Sequence, residues 1–284
     1  MQKNKNQKNG ILYVVATPIG NMQDITYRAI KILHTVPLIA AEDTRHTKNL
    51  LKNFNIKNTT ISLHKYNEHH ITNKMLNLLH TKDIALVSNA GTPTIHDPGY
   101  HLIKSCHKNN ITVVSIPGPC ALIAALSVSG ISGNNFYYQG FLPKKICLRK
   151  KLLTKIKYRK ETTIFYESCH RILQSIQDIM MCLGNNRIIV LAKEITKKWE
   201  QIKYGTSTEI FSWLKEQTNR QKGEMIIIIK GIKIKKETIT KKIHHTLSIL
   251  LKEVKIKTAI QLTTNIYKIH KNQIYKYIIE NFKK

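Results

Sequence analysis

Residues 11–24 read ILYVVATPIGNMQD, and the architecture follows from them. The apolar run Ile11–Ala16 has the length of a buried strand. Thr17-Pro18-Ile19-Gly20-Asn21 interrupts it with turn-forming residues, and Asp24 opens a helix with Ile25, Ala29, Ile32 and Leu33 at helical spacing. The alternation continues outward. Strands are expected at Leu38–Ala41, Thr60–Leu63, Ile84–Ser88 and Thr112–Ile116. Helices are expected at Arg45–Phe54, Glu68–Leu79, Gly99–Lys108 and Ala121–Val128. Strands alternating with helices predict a largely parallel sheet covered on both faces.

Beyond residue 133 the character changes. Residues 134–160 carry Asn134-Asn135, the aromatic patch Phe136–Tyr138 and a basic run with Pro143, which reads as a linker or a substrate-facing insertion. Strands at Thr162–Tyr166, Ile188–Ala192, Gln201–Tyr204 and Met225–Lys230, with helices at Arg171–Cys182 and Ser207–Glu216, predict a second α/β unit, more mixed and antiparallel at one edge. Three short helices follow at 239–252, 257–267 and 271–282; the last two, around Lys268–His270, have the outline of a helix-turn-helix. The expected organisation is a disordered basic N-terminus (1–10), an N-terminal α/β domain (11–133), a second α/β domain beginning with a basic linker (134–231), and a small helical, basic C-terminal extension (232–284).

The 284 residues carry a formal net charge of +29. Part of this is compositional: 39 Lys against 7 Arg, with 43 Ile and 22 Asn, is the bias that AT-rich codons produce. Its placement is not uniform, because 142–160 holds +9 and 232–284 holds +10. Such clusters point to an anionic macromolecule as partner. Five scattered cysteines without a C-x-x-C pair read as reduced thiols, and no metal site is expected. No apolar run approaches membrane-spanning length and none forms a signal segment, so the reading is a soluble, cytoplasmic chain without a membrane partner.

The polar loops fall after predicted strands, where open α/β sheets bind ligands. None has the G-x-x-x-x-G-K-[ST] or G-x-G-x-x-G template, and G-x-S-x-G and H-E-x-x-H are absent too. A nucleoside held by backbone groups fits such loops better than a polyphosphate.

Taken in order, the loops are specific. They are Thr17–Asn21 with Asp24-Ile25-Thr26, Ala41–His46, Ser88–Pro93 with Asp97-Pro98-Gly99-Tyr100, and Ile116–Ala121. Gly140–Pro143, Phe165–Ser168 with His170-Arg171, Ala192–Glu194 and Lys222–Met225 complete the series. The series resembles the ribosomal RNA small subunit methyltransferase I family, in the tetrapyrrole-methylase-like group of S-adenosylmethionine-dependent enzymes. The resemblance runs from about residue 11 to 231 and continues loosely through Tyr275-Lys276-Tyr277. It implies two α/β domains with S-adenosyl-L-methionine in the cleft between them, and a homodimer. It also implies 2′-O-methylation of a cytidine ribose in the decoding region of small-subunit rRNA, free or in the assembled 30S subunit.

Carried onto matching positions, the donor site comprises Pro18, Ile19, Asn89, Gly91, Thr92, Ala121, Leu122, Tyr166, Ala192 and Met225. The chain departs from the family at Asn89, usually Asp, and at Cys169, usually Thr. Glu42, Asp43, Arg45, Glu167 and Lys193 are the candidates for catalysis. Glu42 and Asp43 are read either as a proton acceptor and a partner for Arg45, or as an ordinary helix cap. Arg45, Lys144, Lys145, Arg149, Lys150, Lys151 and Arg171 are expected to meet RNA, the arginines through bidentate phosphate recognition. Two alternatives stand beside this reading: a small-molecule tetrapyrrole methylase of the same fold, and a ligand-sensing nucleic-acid-binding regulator that uses the C-terminal helices.

Overall fold

The run that opens the chain is a central strand. In the computed structural model β1 (Leu12–Val15) lies between β4 (Ile84–Val87) and β5 (Val113–Ile116), with β2 (Leu38–Ala41) and β3 (Thr60–Ser62) beyond β4. All pairs in this five-stranded sheet are parallel, in the order β3-β2-β4-β1-β5. The structure describes residues 9–232, 241–267 and 269–282. Most of the basic N-terminus expected at 1–10 therefore lies outside the described residues, as does Lys268 of the expected C-terminal turn.

Period-two alternation divides the sheet's side chains between two cores. Val15, Ile39, Ala41, Ala85 and Val87 face α1 (Tyr27–Thr35) and α2 (Thr44–Asn53). Leu12, Leu38, Ala40, Ile84 and Leu86 face α3 (Glu68–Leu79) and α4 (Tyr100–Lys108). The helix expected from Asp24 begins later. Met22–Asp24 winds one tight turn, and Thr26 caps α1 by accepting the Ala29 N–H at 3.1 Å.

The second sheet runs β6-β7-β10-β8-β9, comprising β6 (Phe136–Phe141), β7 (Thr162–Glu167), β8 (Ile188–Lys193), β9 (Gln201–Thr206) and β10 (Met225–Ile229). Only β6 and β7 are parallel, so antiparallel pairing dominates the sheet and is not confined to one edge. One face packs on α6 (Ile146–Ile156), α7 (Ile172–Leu183) and α8 (Ser207–Glu216). The other, through Ile164, Val190, Ile226 and Ile228, meets Leu122, Ala125 and Leu126 of α5 (Ala121–Val128), the helix that follows β5.

Residues 134–160 are not a linker. They form edge strand β6 and helix α6, whose buried stripe is Arg149, Leu153 and Ile156. Arg149 is fully buried. Its Nε donates to Asp178 of α7 at 2.8 Å, and its Nη1 donates to the carbonyls of Pro143 and Lys144.

These two sheets belong to one compact unit ending at Gly231. The second unit, from Ile232, contains α9 (Lys241–Glu253), α10 (Ile256–Tyr267) and α11 (Lys271–Phe282) around its own core of Ile243, Leu247, Ile260, Ile269, Ile274 and Ile278. Among the described residues no helix is long and apolar enough to cross a membrane.

Candidate active site

Strand ends from both sheets surround a cavity of about 480 Å³. Ile19 follows β1, Ile95 to Asp97 follow β4, and Ala121 starts α5 after β5. From the second sheet come Tyr166 and Ala192 near the ends of β7 and β8, with Met225 at the start of β10. Antiparallel register explains that grouping: Met225 stands opposite both Glu167 and Lys193, so the start of β10 lies beside the other two strand ends.

The loops of the first sheet are stapled together. Thr17 and Gly91 exchange backbone hydrogen bonds of 2.9 and 3.0 Å, and Thr92 Oγ1 donates to the Pro119 carbonyl at 3.0 Å. Gly91 sits at φ +80°, in the left-handed region, where a Cβ would also crowd Ile19. Of the residues expected to hold the methyl donor, Ile19, Ala121, Tyr166, Ala192 and Met225 line the cavity. Pro18, Gly91, Thr92 and Leu122 each adjoin a lining residue in sequence or share its loop but are not part of the lining. Asn89 joins two loops: its Oδ1 accepts the Asp43 N–H and its own N–H donates to Glu42 Oε2, both at 3.2 Å. An amide at this position thus keeps the acceptor that a carboxylate would provide.

The strongest acid–base feature is Asp97, a residue quoted among the motifs and given no role there. It is half-buried in the cavity wall, and burial, reinforced by the Glu42 carboxylate and opposed by a Ser88 hydrogen bond, pushes its carboxyl up to about 6. Thr94 and His96, at φ +71° and +77°, hold its loop in a conformation that side-chain-bearing residues rarely adopt. The His96 ring packs 5.3 Å from Phe141 and its Nδ1 lies 2.9 Å from the Tyr138 hydroxyl. Gly140, at φ +74°, leaves that ring room, since a Cβ there would collide with it. Burial also pushes the Tyr166 phenol up to about 12, keeping it protonated.

The other candidates separate. Asp43 is the N-cap of α2: its Oδ1 accepts from the backbone N–H groups of Arg45 and His46, at 2.8 and 3.4 Å. The Arg45 guanidinium beside it lowers its carboxyl to about 2, so Asp43 is a poor proton acceptor. The Arg45 side chain itself is 90% exposed. Glu167 is buried with both oxygens engaged, accepting from Arg171 at 2.6 Å, Ser175 at 2.5 Å and the Ser168 N–H at 2.7 Å. It lines the cavity, but its Oε1 is held by Arg171 and Ser168 and its Oε2 by Ser175, so its evident role is to position Arg171. Lys193 is buried and donates to the Asn219 carbonyl at 2.7 Å, outside the 480 Å³ cavity. Glu42 remains, beside Asp97.

A second hollow, of about 520 Å³, shares Phe141 and Ser168 with the cavity and is rimmed by Lys144, His170 and Arg171. Lys145, Lys150 and Lys151 are exposed nearby along the chain. Arg149 is the exception among the expected RNA contacts. Its ion pair with Asp178 keeps it inside the protein, where no phosphate can reach it.

The cavity suits the methyl donor implied by these loops. Ile19, Ala121, Ala192, Ile195 and Met225 offer apolar walls for an adenosine, while Asp97 and the faces of Tyr166 and Phe141 suit a sulfonium or ammonium group.

Comparison with known proteins agrees with this geometry. The profile of the tetrapyrrole (corrin/porphyrin) methylases matches residues 11–210. Uroporphyrin-III-C-methyltransferase from Thermus thermophilus superposes with a TM-score of 0.54 at 14% identity, over 78% of this chain and 94% of that one. Diphthine synthase gives 0.57 at 9% identity, over 78% and 90%. These two likenesses speak for the fold alone. Ribosomal RNA small subunit methyltransferase I of Buchnera aphidicola subsp. Acyrthosiphon pisum is 52% identical over 273 residues, spanning 95% of this chain and 97% of the relative. The protein of that name from Escherichia coli O157:H7 is 47% identical over 272 residues, with 95% of each chain covered. Matched along nearly its whole length, the chain belongs to the ribosomal RNA small subunit methyltransferase I family of the tetrapyrrole methylases.

Proposed function

We propose that this protein transfers a methyl group from S-adenosyl-L-methionine to small-subunit ribosomal RNA, at the ribose 2′-hydroxyl of a cytidine in the decoding region. The observation that carries the reading is the junction of an apolar, nucleoside-sized cavity containing Asp97 with a hollow rimmed by Lys144, His170 and Arg171. The first suits a methyl donor and the second suits a polyanion. The names of its relatives point the same way.

S-Adenosylmethionine supplies, when bound, a methyl carbon already activated by a sulfonium. The task left to the protein is alignment and removal of one proton. Ile19, Ala121, Ala192 and Met225 form the walls that fix the donor. Asp97 accepts the 2′-hydroxyl proton; its raised pKa makes it a better base than an ordinary carboxylate while leaving it ionised at neutral pH. Glu167 holds the Arg171 guanidinium toward the hollow, ready for a phosphate. Arg45, Lys144, Lys145, Lys150 and Lys151 add positive charge for the RNA.

The protein is further proposed to act in the cytoplasm and as a homodimer. Ile123 and Val128, about half exposed on the outer face of α5, are apolar surface that a second copy would cover. Mass-spectrometric mapping of rRNA ribose methylation in cells with and without the protein tests the central reading. Loss of one 2′-O-methylcytidine from the small subunit is expected on deletion; an unchanged ribose-methylation map overturns it.

A further inference from the structure

A third hollow, of about 400 Å³, shares only Gly223 with the donor cavity and no residue with the Lys144–Arg171 hollow. Two connections build it. The β8–β9 loop contributes Glu194 and Trp199, while the link from α8 to β10 contributes Gln217, Asn219, Arg220 and Lys222.

Trp199 is 68% exposed, so core packing does not account for an indole there. Its loop is nonetheless firmly tied. Glu194 and Thr196 adopt φ of +52° and +66°, the Thr196 N–H donates to Glu200 Oε2 at 2.5 Å, and Thr196 Oγ1 accepts the Asn21 N–H at 3.1 Å. A strained, tied loop presenting a large aromatic to solvent is the arrangement found at binding sites.

Part of the polar lining is uncommitted. The side-chain amides of Gln201, Gln217 and Asn219 make no hydrogen bond among the described residues. Each can donate and accept, as the edge of a nucleobase requires. Lys222 is exposed at the rim, and Lys198 Nζ lies 5.2 Å from the Trp199 ring centroid. Arg220 is spoken for by Glu216 at 2.6 Å and by the Trp213 carbonyl. The acid in the lining, Glu194, is neutralised locally by Lys197 at 3.2 Å and accepts the Glu224 N–H at 2.8 Å.

We propose that this hollow is a subsite for one unpaired nucleobase of the RNA substrate, flanking the methylated nucleotide, with the base stacked on Trp199 and its phosphate met by Lys222 and Lys198. The subsite rests on the RNA-methylation reading above. Its sharing of Gly223 with the donor cavity places it next to the reaction, and stacking plus cations is how single-stranded RNA is gripped.

The test is methyl transfer to isolated 30S subunits lacking the modification, by the wild-type protein, Trp199→Ala and Trp199→Phe, with donor affinity measured by calorimetry. Trp199→Ala is expected to raise the KM for subunits about tenfold, with kcat and donor affinity unchanged, and Trp199→Phe to recover most of the loss. A single-stranded RNA oligonucleotide should quench the wild-type tryptophan fluorescence and not that of Trp199→Ala, which retains Trp213. Transfer by the wild type with an unaltered KM in Trp199→Ala overturns the subsite alone. Absence of transfer by the wild type overturns the methylation reading itself, and the subsite with it.

Discussion

Asp97 lines the cavity after β4, and burial, with the Glu42 carboxylate in electrostatic reach, pushes its carboxyl up to about 6. Because its folded pKa lies above the ordinary carboxyl value, ionising it opposes folding. The stability this group contributes is full below about pH 4 and is lost as the pH rises through about 6. Asp97→Asn should therefore raise the melting temperature more at pH 7.5 than at pH 4, in paired thermal scans. The same substitution should lower turnover by about 100-fold or more and abolish the acid limb of the pH–rate profile, which in the wild type rises to a plateau above about 6. A surviving limb would assign the proton to another group. Arg45 behaves differently. It is exposed and forked on the Asp43 carboxylate, so Arg45→Ala should raise the KM for RNA by about tenfold and leave donor binding intact by calorimetry. The α2 cap survives that change, since Asp43 still accepts two backbone N–H groups.

At the scale of elements, α6 shows how a charge run can conceal a helix. Its buried stripe is Arg149, Leu153 and Ile156, at i, i+4 and i+7, but it begins with a cation and is interleaved with lysines, so by composition it reads as solvated linker. Asp178, on a different helix, and the carbonyls of Pro143 and Lys144 make the arginine internal. Arg149→Ala leaves Asp178 buried beside Lys150 alone, and denaturant unfolding should show a loss of about 3–5 kcal/mol. Replacing Lys144, Lys145 and Lys151 by Gln should leave stability unchanged. It should instead reduce the slope of log affinity for RNA against log salt by about two. A stable Arg149→Ala with a flattened slope would return that residue to the RNA surface. The parallel sheet was legible because its strands are followed by polar loops and helices, amphipathic after β1 to β4 and apolar after β5. The second sheet's direction was not, because β10 is apolar at every position and reads alike whichever way its neighbours run. Strand β6 escaped notice because its register shifts between Tyr138 and Phe141, which breaks the alternation.

For the molecule as a whole, the site belongs to neither sheet: an all-parallel half supplies the loops and a mostly antiparallel half supplies the facing wall. The family resemblance pointed to residues of that wall: Ile19, Ala121, Tyr166, Ala192 and Met225, near strand ends or at a helix start, line the cavity. Asp97 was visible within its motif but not as an acid with a role. Its environment depends on Ser88, Glu42 and the backbone at Thr94 and His96, which only the folded chain brings together. Glu167 and Lys193 sit at strand ends as expected, yet local partners absorb both. The most direct test of the account is a reconstituted reaction: purified protein, methyl-labelled S-adenosylmethionine and unmodified 30S subunits, with the product digested to nucleosides. Label is expected in 2′-O-methylcytidine from the small-subunit rRNA, at about one group per subunit. Label on a base, or none in RNA, would contradict it.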